Sequence, residues 1–190
     1  WNGSSTTNWA TSSGGISGAS APTSADDVVF DSSSGLAFTD YLTVSIASGA
    51  VCNNLTFDNA KLTAGLAVFE FSTNLTIATL SISNTAAVNA RLFFRSNTLQ
   101  VARTLTVTTI SGTPTYCDFK DITISGTTLS GTQLGNCGGN TGITFSAGTF
   151  KYYVSTGGTF STTSFSLTST SGSGSTTDYL LPQDNLLFPN

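Results

Sequence analysis

Five aspartates in two groups are the side chains of this chain most able to do chemistry: Asp26, Asp27 and Asp31, and then Asp118 and Asp121. A calcium ion needs about six to eight oxygen ligands, and neither the EF-hand spacing nor the calcium-binding nonapeptide repeat is present. A glycosidase needs two carboxyl groups about 5 to 9 Å apart in a cleft. In an extended chain the carboxylates of Asp27 and Asp31 lie about 13 Å apart. We therefore expect structural roles, with Asp26 closing a turn and Asp31 ending a strand.

Other catalytic and metal-binding arrangements lack their residues. The chain has no histidine, so Ser-His-Asp and Cys-His nucleophile systems are excluded within it. Its three cysteines include no C-x-x-C pair of the kind that binds zinc, and no glycine-rich phosphate loop stands between a strand and a helix. The sequence predicts a protein that is not an enzyme and that binds no metal or cofactor.

Composition narrows the fold and the partners. The chain is rich in serine and threonine, yet it is 38% hydrophobic with 13 phenylalanines, which is too apolar for a disordered linker. Only 8% of residues are charged, and the six basic residues form no basic face, so nucleic acid is not an expected partner. No apolar run approaches the roughly 20 residues of a membrane-spanning helix, so membrane insertion is not expected. The abundance of Thr, Val, Ile and Phe favours an all-β fold.

A triplet of aliphatic, hydroxyl and apolar residues recurs along the chain. In a strand the outer two residues of such a triplet point into the core and the hydroxyl points out. The triplets are Leu42-Thr43-Val44, Leu55-Thr56-Phe57, Leu75-Thr76-Ile77, Leu80-Ser81-Ile82, Leu105-Thr106-Val107, Ile122-Thr123-Ile124 and Ile143-Thr144-Phe145.

The spacing of these triplets favours a solenoid. Successive triplets stand about 20 residues apart, which matches one coil of a parallel β-helix better than the 8 to 12 residues typical of hairpin-connected strands. We predict a right-handed parallel β-helix or a related β-solenoid, with a β-sandwich or jelly roll as the alternative. The predicted organisation is an end motif and loop in residues 1–34, a solenoid body in 35–150 and a second end motif in 151–190, forming one structural domain overall.

Two cysteines share the predicted coil spacing. Cys117 and Cys137 are about 20 residues apart, so one coil would stack them on adjacent strands about 4.8 Å apart. That distance suits a disulfide. We predict a bridge, or at least a stacked pair of thiols, between them, and we expect Cys52 to be a small buried apolar residue.

The two ends of the chain carry the same motif. Each runs from an aromatic residue through a Ser/Thr/Gly-rich loop and a proline to an acid, an acid or amide, two aliphatic residues and Phe. A unit that closes by repeating its opening is typical of a tandem array, whose ends need caps or partners. The candidate assembly or end-cap residues are Trp1, Trp9, Asp26, Asp27, Phe30, Phe165, Leu186, Leu187 and Phe188.

Two stretches resemble a known class of repeat. Residues 1–31, from Trp1-Asn2-Gly3 to Asp26-Asp27-Val28-Val29-Phe30-Asp31, resemble repeats of large bacteriophage virion proteins and of bacterial surface proteins built as β-solenoids. Residues 116–126 (Tyr-Cys-Asp-Phe-Lys-Asp-Ile-Thr-Ile-Ser-Gly) and 134–145 look similar to phage proteins as well. The second end motif departs from the pattern, with Asp184-Asn185-Leu186-Leu187. The resemblance implies a structural or host-contacting virion part and no catalytic residues.

These observations predict a structural virion component, such as a phage tail fibre, decoration or appendage module, on the virion surface or otherwise extracellular. Its expected partners are other copies of itself, joined head to tail or as a homo-oligomer, and host surface carbohydrate. One alternative is a bacterial extracellular filament or adhesin repeat. A second is a carbohydrate-active tailspike fragment.

Overall fold

The computed structural model describes residues 1–34, 42–58, 65–83, 90–154, 165–166 and 180–188. The chain divides into two compact units, Trp1–Phe145 and Ser146–Asn190, where the sequence had predicted one structural domain overall. The described residues form strands, turns and one short 3-10 helix, Ser32–Ser34, so the fold is all-β. Within these ranges no helix is long and apolar enough to cross a membrane.

The first unit contains twelve of the strands that the structure describes. They are β1 (Val28–Phe30), β2 (Leu42–Ile46), β3 (Asn54–Asp58), β4 (Gly65–Phe71), β5 (Leu75–Ser83), β6 (Ala90–Ser96), β7 (Arg103–Ser111), β8 (Cys117–Lys120), β9 (Ile122–Ser125), β10 (Leu129–Ser130), β11 (Gly135–Asn136) and β12 (Ile143–Thr144).

Successive strands of the first unit alternate between two parallel sheets. One sheet has the order β1-β3-β5-β7-β9 and the other has the order β2-β4-β6-β8-β11. Strands β10 and β12 form a third, two-stranded parallel sheet. This pairing differs from the antiparallel sheets of a β-sandwich. Parallel neighbours require a long connection between them, and here each connection contains a strand of the other sheet.

The repeat that stacks these strands is about 25 residues long over most of the unit. In one sheet Ala67 is paired with Leu42 and with Leu92, and Leu92 is paired in turn with Cys117. The expected step of about 20 residues is therefore wrong there. The reason is that the nine-residue strand β5 contains two triplets, and Leu55 pairs with the second one, at Leu80. The step shortens only near the end of the unit, where Asp118 pairs with Gly135.

A file of phenylalanine rings fills the space between the two large sheets. The rings of Phe57 and Phe69, from β3 and β4, have centroids 4.2 Å apart, and Phe57 lies 5.0 Å from Phe94 of β6. Phe94 stacks on Phe119 of β8 at 5.2 Å, within 14° of parallel. Phe94 and Phe119 are also register partners. The rings thus join the strands along one sheet and join the two sheets to each other.

The alternation predicted for the triplets is confirmed for most of them. Leu55, Phe57, Leu75, Ile77, Leu105, Val107, Ile122 and Ile124 are buried, and the hydroxyl residues between them are exposed or half-buried. Ile143 and Phe145 are only half-buried. They lie at the last described strand of the unit, β12, where fewer coils cover them.

Left-handed backbone forms the corners between strands. Gly142 has φ +71°, and a side chain there would overlap the carbonyl oxygen of Ile124 on the neighbouring coil. Asp121 alone separates β8 from β9 and has φ 55°, an unusual value for a residue with a side chain. Its carboxylate is buried and accepts the backbone N–H of Gln100, in the corner of the preceding coil, at 3.0 Å. That hydrogen bond holds successive corners together.

The second unit is described by three strands and the turn before the last of them. Strand β13 (Phe150–Tyr153) pairs in parallel with β15 (Asn185–Leu187) and antiparallel with β14 (Phe165–Ser166). Lys151 and Leu181 are buried in this unit.

Candidate functional site

The acid of the first end motif closes a turn immediately before β1. One carboxylate oxygen of Asp26, Oδ2, accepts the N–H of Thr23 at 2.8 Å and its hydroxyl at 2.7 Å, while the Asp26 N–H donates back to the Thr23 carbonyl at 3.1 Å. The hydroxyl and N–H of Thr23 lower the pKa of Asp26 below its ordinary value because they stabilise the charged form. The structural role expected for Asp26 is confirmed.

The two other aspartates of this group also hold loops. Asp27 Oδ1 accepts the side-chain amides of Asn53 and Asn54, at 3.2 and 2.8 Å, which ties β1 to the start of β3. Asp31 follows the end of β1 and accepts the N–H groups of Ser33 and Ser34 together with the hydroxyl of Ser13. Burial alone would raise the pKa of Asp31, but these hydrogen bonds outweigh it and lower the pKa.

Two tryptophans cover the β1 end of the phenylalanine file. The rings of Trp1 and Trp9 meet edge to face at 5.6 Å, and each lies about as far from Phe30, at 6.4 and 6.3 Å. Phe30 in turn stacks on Phe57 at 5.7 Å. The tryptophans are half-buried and pack against the core, as expected for end-cap residues. The Ala47 N–H donates to the Trp1 carbonyl at 2.7 Å, which fixes this segment beside the end of β2.

The acid of the second end motif closes the corresponding turn before β15. Asp184 Oδ2 accepts the N–H of Leu181 at 2.9 Å, and the Asp184 N–H donates to the Leu181 carbonyl at 2.9 Å. The other oxygen, Oδ1, accepts both the N–H and the hydroxyl of Thr149, at 2.8 and 3.1 Å. The Asn185 N–H donates to the Thr149 carbonyl at 2.8 Å. This carboxylate therefore closes its turn and also binds the residue before β13.

The two motifs have the same local structure. In each, an acid bonds twice to the residue three positions earlier, and a three-residue parallel strand follows within one or two residues. Leu186 is half-buried, and Leu187 and Phe188 are exposed. The strand register of Phe165 is described, but its side chain lies outside the described residues, so its predicted end-cap role stays a prediction. The motifs differ in that Asp184 has a neighbouring strand bound to Oδ1.

The aspartates of the second group are held by basic side chains. Arg91 grips both carboxylate oxygens of Asp118 at 2.6 Å and donates to the carbonyls of Cys117 and Gln133. Asp121 pairs with Lys120 at 3.0 Å. Within the described ranges no group of three or more His, Cys, Asp or Glu side chains is placed to hold a metal ion.

The predicted pairing of Cys117 with Cys137 is wrong, since both are free thiols. Asp118 pairs with Gly135, so the coil between these strands is shorter than the spacing of the two cysteines, which are not register partners. Burial raises the pKa of the Cys117 and Cys137 thiols. Cys52 is buried as expected, and burial, with the charge of Asp27, raises its pKa to about 12.

Sequence reasoning missed Thr149 and Gly148, which complete the second motif. A side chain at Gly148 would overlap the carbonyl oxygen of Gln183, so this position must remain glycine for the strand to approach the turn. These two residues are far in sequence from Asp184, and no local pattern marks the contact. The arrangement as a whole presents strand edges and closed turns, which are means of binding another β-strand.

Comparisons with protein-family models, with curated proteins and with solved structures find no match to this chain.

Proposed function

We propose that this chain is a structural module of a virion component, such as a bacteriophage fibre, decoration or appendage, that builds length by repetition. The observation that carries the proposal is the recurrence of one turn-and-strand structure at Asp26 and at Asp184. A protein made of tandem units begins each unit with the same local structure, and the second motif has the position of such a new beginning.

The proposed architecture of the module is a right-handed parallel β-helix. Its support is the alternation of successive strands between two parallel sheets and the phenylalanine contacts that join those sheets, such as Phe57 with Phe69. Repetition of such coils extends a molecule in one direction, because each coil contacts only its neighbours. An extended, repetitive module suits a fibre or appendage.

The outward faces of the strands suit an exposed, wet surface on the virion or otherwise outside the cell. Outward positions carry hydroxyls that bond from coil to coil, as between Thr106 and Ser125 at 3.0 Å and between Thr115 and Thr132 at 3.0 Å. Few charges interrupt this surface, since only 8% of the residues are charged. Such a surface solvates the fibre and offers hydrogen-bonding groups to host surface glycans.

Two other functions make different demands. A bacterial extracellular filament or adhesin repeat would use the same end motifs, and its location would distinguish it. A carbohydrate-active tailspike fragment requires two free carboxyl groups in a cleft. In the second aspartate group, Asp118 and Asp121 are paired with basic side chains, which favours the structural proposal.

Immunogold labelling tests the proposal. Antibodies raised against the purified chain should label virions from the source material at regular intervals along a fibre or appendage. Labelling of bacterial surface filaments, with unlabelled virions, would contradict the viral assignment and favour the filament alternative. Release of reducing ends from capsular or lipopolysaccharide glycans by the purified chain would instead favour the tailspike alternative.

A further inference from the structure

Strand β1 is an edge strand whose outer side lacks a partner. It ends the sheet order β1-β3-β5-β7-β9, and within the described part of the chain no other strand pairs with it. The Asp26 carbonyl accepts the Asn53 N–H at the start of β3. Since backbone groups of successive residues in a strand point to opposite sides, the N–H of Asp27 points away from β3.

Two polar groups beside this edge correspond to groups that are bound in the second motif. Asp26 Oδ1 and the Asp27 N–H have no hydrogen-bond partner among the described residues. Their counterparts, Asp184 Oδ1 and the Asn185 N–H, bind the N–H, hydroxyl and carbonyl of Thr149. The first motif thus presents the same binding groups as the second, without the strand.

We infer that the outer edge of β1 binds the segment 148–152 of a second copy of this chain, in the register that this segment has with β15. In that register Phe150 lies opposite Asp27, Lys151 opposite Val28 and Tyr152 opposite Val29, by analogy with Asn185, Leu186 and Leu187. This inference rests on the proposed function, because it supplies the contact by which modules join.

The surroundings of β1 leave space for such a strand. A groove runs beside its outer edge, lined by the segment 7–20 on one side and by Val28, Val29 and Thr43 on the other. Val29 is 49% exposed there. The tryptophans cover Phe30, beyond the last residue of the inferred register, so the strand and the tryptophans use different parts of the motif.

Binding in this way is an exchange of strands between copies. The segment 148–152 leaves its own β15 and takes β1 of the next copy, and the hydrogen bonds lost are replaced by equivalent ones. Exchange of equivalent contacts is a low-cost route to association. Because β1 and β13 are different surfaces, the contact is head to tail and continues into a fibre unless it closes into a ring.

Cysteine cross-linking between two differently tagged full-length chains tests the inferred register. One chain carries Val29→Cys and the other carries Tyr152→Cys, both in a Cys137→Ser background. Adjacent strands place these residues about 4.8 Å apart on one face, within the range of a disulfide. We expect a mixed dimer on a non-reducing gel after mild oxidation. Replacing Tyr152→Cys by Lys151→Cys should abolish the dimer, because Lys151 faces the opposite side.

Two further variants separate β1 docking from other association. In Asp26→Asn the side-chain oxygen still accepts from Thr23, but the amide presents a donor to the Thr149 N–H, so cross-linking should fall at least about tenfold. Asp184→Asn weakens the hold of β15 on its own β13, so cross-linking should rise. Chains that associate without a Val29–Tyr152 cross-link, or with equal yields in both Asn variants, overturn the inference and leave the proposed function intact. Chains that remain monomeric in sedimentation throughout also overturn it, whereas the virion assignment depends on the immunogold labelling.

Discussion

Asp26 and Asp184 close the same turn, each through Oδ2, and differ in what their second oxygen binds. Asp184 Oδ1 accepts two hydrogen bonds from Thr149, whereas Asp26 Oδ1 has no partner in the described part of the chain. One local structure is therefore present once with a neighbouring strand and once without it. This difference is the basis for reading the β1 end as a place where modules join.

The core of the first unit should respond sharply to loss of volume. Ile122 is 1% exposed in β9, so Ile122→Ala should lower the free energy of unfolding by about 2 to 5 kcal/mol. The matched control is Thr123→Ala on the outward face of the same strand, which should change stability by less than about 0.5 kcal/mol. Urea denaturation monitored by circular dichroism measures both. Equal losses in the two variants would show that the inward and outward faces are wrongly assigned.

The two arginine–carboxylate pairs of the even-numbered sheet should contribute unequally. The side chains of Arg91 and Asp118 are 18% and 15% exposed and share two short hydrogen bonds, so Arg91→Met should cost about 1.5 to 3 kcal/mol. The side chains of Arg95 and Glu70 are 42% and 25% exposed, and Arg95→Met should cost about 0 to 1 kcal/mol. Denaturation in 1 M salt should narrow the difference only slightly, because salt screens exposed pairs most. A larger cost for Arg95→Met would contradict this ranking.

The cysteines should behave as protected thiols rather than as a disulfide. At pH 8 the raised pKa values keep Cys52 and Cys117 protonated, and their burial hides them from reagents. Mass spectrometry after brief iodoacetamide treatment should find Cys137 modified first and the other two modified only after unfolding. Reducing agent should leave the unfolding midpoint unchanged. A midpoint that falls on reduction would restore the disulfide hypothesis.

Alkaline pH should destabilise the protein partly through Cys52. Its pKa is about 12 in the folded chain against 9.0 for an ordinary cysteine, so the folded state retains a proton that the unfolded state releases. The stabilising contribution is complete below about pH 9 and is lost as pH rises towards 12. Cys52→Ala removes this titration, so its stability should fall less steeply over that window. Parallel pH profiles for the two proteins would refute this role.

Acid should release the segment that carries the tryptophans. The lowered pKa values of Asp26 and Asp31 mean that their stabilising contribution is present above the ordinary value of 3.8 and is lost as pH falls through the lower folded values. Both tryptophans of the chain lie at this end, so their fluorescence reports on it selectively. Asp31→Ala should shift the emission to the red at neutral pH, as acid does in the original protein. Asp118→Ala, which removes a carboxylate elsewhere, should not shift the emission of the folded protein.

The sequence by itself determined the all-β class, the inward and outward faces of most strands and the likeness of the two end motifs. These features are local. A triplet such as Leu105-Thr106-Val107 alternates faces because side chains of a strand must do so, and Asp26 closes a turn with a residue three positions away.

Only the tertiary structure decided which strands lie beside each other. Coil length depends on the connections between strands, which no period-2 pattern reports, so Leu55 meets Leu80 rather than Leu75, and Cys117 and Cys137 remain apart. The hydrogen bonds from Thr149 to Asp184 likewise join residues distant in sequence. Stacking of strands is set by chain geometry and by the packing of rings such as Phe94 on Phe119, and these appear only once the chain has folded.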